Sequence, residues 1–271
     1  MKRVSLYLTV IVLLAAFLAG CGAPTATDPM VSTEPSTVPI ETTAATELPT
    51  EEITEPTVMI PVETTGYAGE ISSEYVDEAY AEVIGRYYTA LTEQWDADKY
   101  FDNGMSTLPS YYYDGNPLEN VGFGYQDLDN DGQNELIIGA ILNADKDPSV
   151  FEIWTIANGE PVMLAQGGSG NRYILQFVDE DNIWYVVNEA SNSAASNATY
   201  YMMLIESKLE VSQGILFDAA ADPENPWFMT YDLDWDASND DSIDEDMANA
   251  ILDNNRNYYI AFEYFPYAYI N

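Results

Sequence analysis

The sequence predicts an α+β domain, preceded by a disordered stalk and built on a mostly antiparallel β-sheet with an N-terminal helix and a helix near the C-terminus. Three observations support this prediction. Apolar residues recur at helical spacings before residue 95, and short strand-like segments separated by turn residues follow from residue 121. A helix-capping sequence then occurs at residues 242–245.

Residues 1–21 have the features of a bacterial export leader. Lys2 and Arg3 give a positive start, and the mostly apolar stretch 4–18 is shorter than the roughly 20 residues of a spanning helix. Small residues then precede Cys21 in a sequence that matches the lipobox, where the cysteine thiol accepts a diacylglyceryl group. We therefore expect a lipoprotein that is anchored to the cell membrane at Cys21, outside the cytoplasm. The alternative is a retained N-terminal anchor with an incidental cysteine.

Residues 22–66 have the composition of a linker. They are rich in Thr, Pro and Glu, and they contain no aromatic residue. Spaced prolines and mutually repelling glutamates favour an extended, disordered tether. Because aromatic residues become frequent from Tyr67, we place one globular domain at residues 67–271.

The composition excludes several classes of function. The chain has 46 acidic residues against 8 basic ones, and such a charge repels phosphate backbones, so nucleic acid is not an expected partner. It contains no histidine and one cysteine. This rules out Ser-His-Asp catalysis, histidine-ligated zinc and an intrachain disulfide.

The first helix is predicted to begin at a cap on Ser72 or Ser73 and to run to about Trp95. Its apolar residues share one face, at three- and four-residue spacings. They are Val76, Tyr80, Val83, Ile84, Tyr87 and Leu91. Residues 106–117 contain Pro, Gly and three tyrosines, and are predicted to form a loop.

Strand-like segments separated by Gly, Asp, Asn and Ser follow this loop. The predicted strands are Val121–Tyr125, Glu135–Leu142, Val150–Ile156, Glu160–Leu164, Tyr173–Val178, Ile183–Asn188, Tyr200–Ile205, Leu209–Leu216 and Phe228–Leu233. Asn158-Gly159 indicates a tight hairpin, since both residues tolerate a positive φ. The connections are too short for crossover helices, so we expect antiparallel pairing.

The C-terminal part combines a helix with an aromatic tail. Ser242 and Glu245 form a capping box, which predicts a helix that ends at about Asn255. Residues 258–270 are aromatic and strand-like.

One acidic segment has the spacing of a calcium loop. Carboxylates at Asp127, Asp129 and Asp131, the main-chain carbonyl of Gln133 and the carboxylate of Glu135 could supply the six to eight oxygens that calcium prefers. Gly132 permits the sharp turn. The segment departs from the helix–loop–helix motif, because its flanks are strand-like and its twelfth position is Ile138. The alternative is a solvated acidic turn that binds no ion.

A second acidic segment repeats part of this pattern. Asp232, Asp234 and Asp236 alternate in the same way, but Ala237 stands where the loop glycine would be. A second ion and a solvated strand edge are both open interpretations.

The acidic loop resembles the strand-flanked calcium loops of FG-GAP and related integrin-type repeats, of which this chain has one clear copy. Taken with residues 87–91, 116–122, 136–139, 153–156 and 159–162, it also resembles a group of uncharacterised lipoproteins from Gram-positive gut anaerobes. The resemblance covers most of residues 75–190. It implies the extracytoplasmic compartment and the calcium loop, and it implies no activity.

Two functions are consistent with these features. The first is a non-enzymatic surface module, structural or binding a wall or host glycan or a surface protein, with calcium stabilising its fold. The second is a carbohydrate-active enzyme that uses paired carboxylates. A pocket with two acids and exposed aromatic rings would favour the enzyme.

Overall fold

The computed structural model describes residues 74–142 and 149–270. The leader with Cys21, the stalk at 22–66 and the predicted cap at Ser72 or Ser73 lie outside the described residues. Within those two ranges, no helix is both long enough and apolar enough to cross a membrane.

The predicted α+β class is confirmed. The sheet has twelve strands in the described part of the chain, and four α-helices accompany it. The helices are α1 (Ala81–Thr92), α2 (Ala97–Asp102), α3 (Pro117–Asn120) and α4 (Glu245–Arg256). The strands are β1 (Val121–Gln126), β2 (Glu135–Ala140), β3 (Val150–Ala157), β4 (Glu160–Gln166), β5 (Asn171–Val178), β6 (Ile183–Ser193), β7 (Ser196–Ile205), β8 (Lys208–Asp218), β9 (Trp227–Thr230), β10 (Asp241–Ser242), β11 (Tyr259–Ile260) and β12 (Phe265–Pro266).

The first helix is shorter than the sequence predicts. A single 3₁₀ turn at Glu78–Tyr80 leads into α1, and the Asp77 side chain caps this turn by accepting from the Ala79 amide. The helix ends at Thr92 because Gln94 takes a left-handed φ of 50°, and Trp95 is already outside it. The predicted loop is present up to residue 116, with a short 3₁₀ helix at Leu108–Tyr111, and Pro117 already begins α3.

Strand pairing is antiparallel between every pair of neighbours observed. The order is β10-β9-β8-β7-β6-β5-β3-β2-β1-β12, while β4 pairs with β3 and β11 pairs with β5. Asn158 and Gly159 both have positive φ, at 55° and 85°, as the predicted β3–β4 hairpin turn requires. The mainly sequential order follows from the short connections.

Two boundaries near the C-terminus differ from the prediction. Strand β9 ends at Thr230 rather than Leu233, because the next residues form turns in which Asp232 accepts from the Asp234 amide. Helix α4 is capped by Asp244, which accepts from the Met247 amide at 2.7 Å, and not by Ser242. Ser242 lies in β10, so its backbone is already extended when the helix begins.

The sheet carries an apolar core on each face. Alternation in β2 sends Leu136 and Ile138 to a cluster with α1, and sends Ile137 to a second cluster that extends through β7 and β9. Helix α4 packs on β8 and β9 through Ala248. The predicted aromatic tail contributes strands β11 and β12, and its Tyr267 is fully buried against α1.

Candidate metal site

The acidic loop connects β1 to β2, two adjacent antiparallel strands. Their ladder runs up to the Gln126–Glu135 pair, so the strand ends hold the loop at both sides. Asn130 and Gly132 have positive φ values of 60° and 93°. A Cβ at Gly132 would meet no atom within 4 Å, so backbone conformation rather than space explains the glycine there.

Three of the four loop acids converge. One oxygen from each of Asp127, Asp129 and Glu135 lies within 4.8 Å of the other two. Two unit charges at this distance repel by on the order of 3 kcal/mol at an effective dielectric constant of 20. A group of oxygens this close is suited to share a cation, and the cluster could hold a metal ion.

Glu135 is the fully buried member of this cluster. Its side chain is 1% exposed, and it accepts from the Leu128 amide at 2.9 Å and from the Thr155 hydroxyl at 3.0 Å. Burial is the main cause that raises the pKa of Glu135, to about 7, and the charges of Asp129 and Asp131 add to it. Near neutral pH, Glu135 is therefore protonated for part of the time when no ion is bound. A bound cation would take the place of this proton.

Asp127 organises the loop while it contributes to the cluster. Its two carboxylate oxygens accept from the Asp131 amide at 3.1 Å and from the Gly132 amide at 2.9 Å. Asp129 accepts from the Asp131 amide at 3.3 Å. Partial burial, and next the charge of Asp131, raise the pKa of Asp129. The loop amides thus turn both carboxylates inward.

Asp131 and Gln133 have other contacts. Asp131 is exposed and stands outside the three-carboxylate group, and it accepts from the Gln133 amide at 2.7 Å. The Gln133 side chain donates to the Ile156 carbonyl at 3.0 Å, which ties the loop to β3. Coordination by Asp131 and by the Gln133 carbonyl stays a prediction.

Neighbouring segments support the loop from outside. The Tyr80 hydroxyl donates to the Asn134 carbonyl at 2.8 Å, and the Asn130 and Asn182 side chains each donate across to the other residue at 3.3 Å. Thr155, the side-chain partner of Glu135, is not predictable from the sequence. Nothing local marks it, because it comes from β3 and meets Glu135 only through sheet pairing.

The second acidic segment is arranged differently. Asp234 accepts from the Asp236 amide at 2.8 Å, and Asp236 accepts from the Ser238 amide at 3.0 Å. These turns leave the carboxylates of Asp232, Asp234 and Asp236 on an exposed rim. They do not converge as closely as the acids of the β1–β2 loop.

A cavity of about 560 Å³ lies on the sheet away from the acidic loop, with the 3₁₀ helix at 108–111 on one side. Tyr111 lines it and is 72% exposed. Among its described lining residues, Glu189 is the one carboxylate, and it is ion-paired with Arg172. This cavity therefore offers one strongly exposed aromatic ring and one ion-paired carboxylate. It does not have the pair of acids that would favour a glycosidase.

Glu152 is a further buried acid, with no access from solvent. Its carboxylate accepts from the Ser106 amide at 2.6 Å, the Trp154 indole N–H at 2.9 Å and the Gln166 amide at 3.3 Å. Burial raises the pKa of Glu152. The first of these bonds ties Ser106 to β3, and the other two lie within the sheet.

Comparison of the chain with protein-family models, with curated proteins and with solved structures finds no match.

The affinity of the cluster for calcium is expected to depend on pH. A cation must displace the proton of Glu135, whose pKa without an ion is about 7, so affinity falls as pH decreases through that value. One competing proton weakens binding by up to about tenfold per pH unit below the pKa. Calcium titrations at several pH values between about 5.5 and 8 measure this dependence. An affinity that does not change over that range would exclude Glu135 as a ligand.

Proposed function

We propose that this chain is a membrane-anchored, extracytoplasmic lipoprotein whose globular domain is a non-enzymatic binding or structural module stabilised by calcium in the β1–β2 loop. The convergence of Asp127, Asp129 and Glu135 carries the calcium part of this proposal. Burial destabilises the charged form of Glu135 and raises its pKa to about 7, and a bound cation would stabilise that charged form.

Calcium fits the ligand chemistry better than other metals. The three side chains supply only carboxylate oxygens, which are hard ligands, and the loop has main-chain carbonyls to offer as well. Magnesium demands a smaller octahedral shell and loses its water reluctantly. The resemblance to integrin-type loops and the extracytoplasmic setting inferred from the leader favour the same ion.

A binding role fits the cavity better than catalysis does. Tyr111 offers an exposed ring. The Glu189 carboxylate is ion-paired with Arg172, whose Nε atom lies 3.1 Å from Glu189 Oε2. A glycosidase needs a second carboxylate beside the first, and Glu189 has none among the described residues that line the cavity. Wall or host glycans and surface proteins are the proposed partners.

The lipid anchor can be tested at one residue. Replacing Cys21 by Ala is expected to abolish incorporation of a fatty-acid probe and to leave the leader uncleaved or the protein released from the membrane fraction. The reason is that the thiol is the acceptor for the diacylglyceryl group, and cleavage follows lipidation. Metabolic labelling followed by fractionation measures both effects. Equal labelling of the Cys21→Ala protein would rule out the anchor.

A further inference from the structure

A row of directly paired residues crosses the sheet from β7 to β10. Tyr200 pairs with Gly214, and Gly214 pairs with Thr230. Asp241 pairs with Met229, which brings Asp240 next to Thr230 at the end of the same row. Side chains at paired positions project from the same face of a sheet, so Tyr200, Thr230 and Asp240 share one side.

Gly214 lets the side chains of this row come together. A Cβ at this position would lie 2.8 Å from Tyr200 Cδ1 and 2.8 Å from Thr230 Cγ2. The Tyr200 ring therefore lies over the glycine, toward β9 and β10. The Trp235 ring meets it edge-on, with the ring centroids 6.1 Å apart. Trp235 belongs to the acidic segment 232–236, which brings that segment over the end of the row.

Two buried polar atoms in this row have no hydrogen-bond partner. They are the hydroxyl oxygen of Tyr200, whose side chain is 1% exposed, and Oδ2 of Asp240. An unsatisfied buried polar group costs about 1–3 kcal/mol, and more when it is charged. Tyr200 and Asp240 stand at the two ends of the row, and the Tyr200 ring reaches across Gly214 toward Asp240, so the two atoms without partners indicate a site that a ligand would complete.

The charges around these atoms identify the kind of ligand. Burial is the main cause that raises the pKa of Tyr200, and the nearby charges of Asp240, Asp232 and Asp234 add to it in that order. The charges of Asp232, Asp234 and Asp236 act in turn on Asp240, where burial is the larger influence and raises the pKa of Asp240. Several carboxylates and a phenol around one partly buried carboxylate attract a cation and repel an anion.

We propose that Asp240, the rim carboxylates of Asp232 and Asp234, and the hydroxyl of Tyr200 bind a second hard divalent cation, for which calcium is the probe. Asp240 supplies a partly buried ligand immediately before β10. Asp232 and Asp234 are exposed, so their carboxylates can turn onto the ion from above. This site shares no residue with the β1–β2 loop. Of the two interpretations of the alternating aspartates, it corresponds to a second ion and not to a solvated strand edge.

Calcium stoichiometry of the full chain tests the proposal. Equilibrium dialysis is expected to find two bound ions in the wild type and one in Asp240→Asn. The matched control is Asp241→Asn, which removes the same charge from the adjacent, exposed position and is expected to keep both ions. Tyr200→Phe keeps the ring and removes the hydroxyl, and it is expected to weaken the second ion by about two- to tenfold.

Terbium luminescence gives a readout that loss of folding would not imitate. The Tyr200 and Trp235 rings would sensitise a terbium ion bound at Asp240, so Asp240→Asn is expected to lose this emission while Asp241→Asn retains it. Repeating the titration in Asp129→Ala separates the two sites. Loss of one ion in Asp129→Ala and of the other in Asp240→Asn supports both.

Two outcomes would overturn the second site. The first is equal stoichiometry and emission in Asp240→Asn and Asp241→Asn. The second is a gain in stability in Asp240→Asn with calcium binding unchanged, which would mean that the Asp240 carboxylate destabilises the fold and binds no ion. If Asp129→Ala retains all its calcium while Asp240→Asn loses one ion, the loop proposal fails and this site remains.

Discussion

Calcium is expected to raise the melting temperature of the full chain, and Asp129→Ala is expected to lose most of the contribution that the β1–β2 loop makes to this increase. Extracellular calcium modules bind with constants on the order of 10⁻⁴ to 10⁻³ M. At about ten times its dissociation constant, one ion stabilises the folded state by roughly 1.4 kcal/mol. For a domain of this size, that corresponds to about 3–6 °C.

The Asp129 substitution acts through the cluster of three carboxylates. It removes one of the oxygens that lie within 4.8 Å of each other, together with its negative charge. Loss of one charged contact typically costs about 1.5–3 kcal/mol, so the loop's affinity should fall by roughly ten- to a hundredfold. Isothermal titration calorimetry and thermal melting with calcium or chelator measure the two effects.

Screening of the acidic surface is the effect to be separated from binding. The matched control is Asp181→Ala, which removes an equal charge from the exposed turn beside the loop, next to Asn182. It is expected to keep the full calcium effect. If calcium raises the melting temperature equally in wild type, Asp181→Ala and Asp129→Ala, the loop is an acidic turn. If Asp129→Ala does lose the calcium effect, the same measurement on Asp131→Ala shows whether the fourth acid is also a ligand.

Gly122→Ala is expected to destabilise the domain strongly. A Cβ at Gly122 would lie 2.6 Å from Tyr264 Cβ and 2.8 Å from the Phe265 carbonyl oxygen. Neither atom can be moved by rotating a side chain, so the C-terminal tail must shift away from β1. Overpacking of this kind costs about 1–3 kcal/mol, or roughly 2–12 °C in melting temperature for a domain of this size.

A second glycine provides the control for this substitution. A Cβ at Gly168 would meet no atom within 4 Å, so Gly168→Ala is expected to change the free energy of unfolding by less than about 0.5 kcal/mol. Urea denaturation measures both variants. Similar unfolding midpoints for the two would mean that the tail does not pack closely against β1 in solution.

The sequence was most informative where local chemistry decides the structure. Asn158-Gly159 specifies a hairpin turn through its backbone alone, and the strands on either side of it were predicted to within two residues. The start of the first helix was less predictable. Serines at 72 and 73 and Asp77 are all good caps, and the choice of Asp77 depends on packing of the following turn through buried Tyr80.

The candidate metal site was only partly predictable for a related reason. The spacing identifies the loop and its glycine, but it does not show which of the four acids lie close together. Glu135 meets Thr155 through the pairing of β2 with β3, while Asp131 is exposed in the turn of the loop. Likewise, the row from Tyr200 to Asp240 depends on the register of four strands, which no local pattern specifies.

Pairing of β12 with β1 has a consequence for the timing of folding. Residues near 122 can close their outer edge only when residues 265–266 are present, and the buried side chains of Tyr267 and Ile270 complete the core beside α1. A chain that is synthesised from its N-terminus therefore leaves the outer edge of β1 and the core beside α1 incomplete until residues 265–270 are available. Truncation before residue 265 would leave β1 as an open edge, able to recruit strands from other molecules.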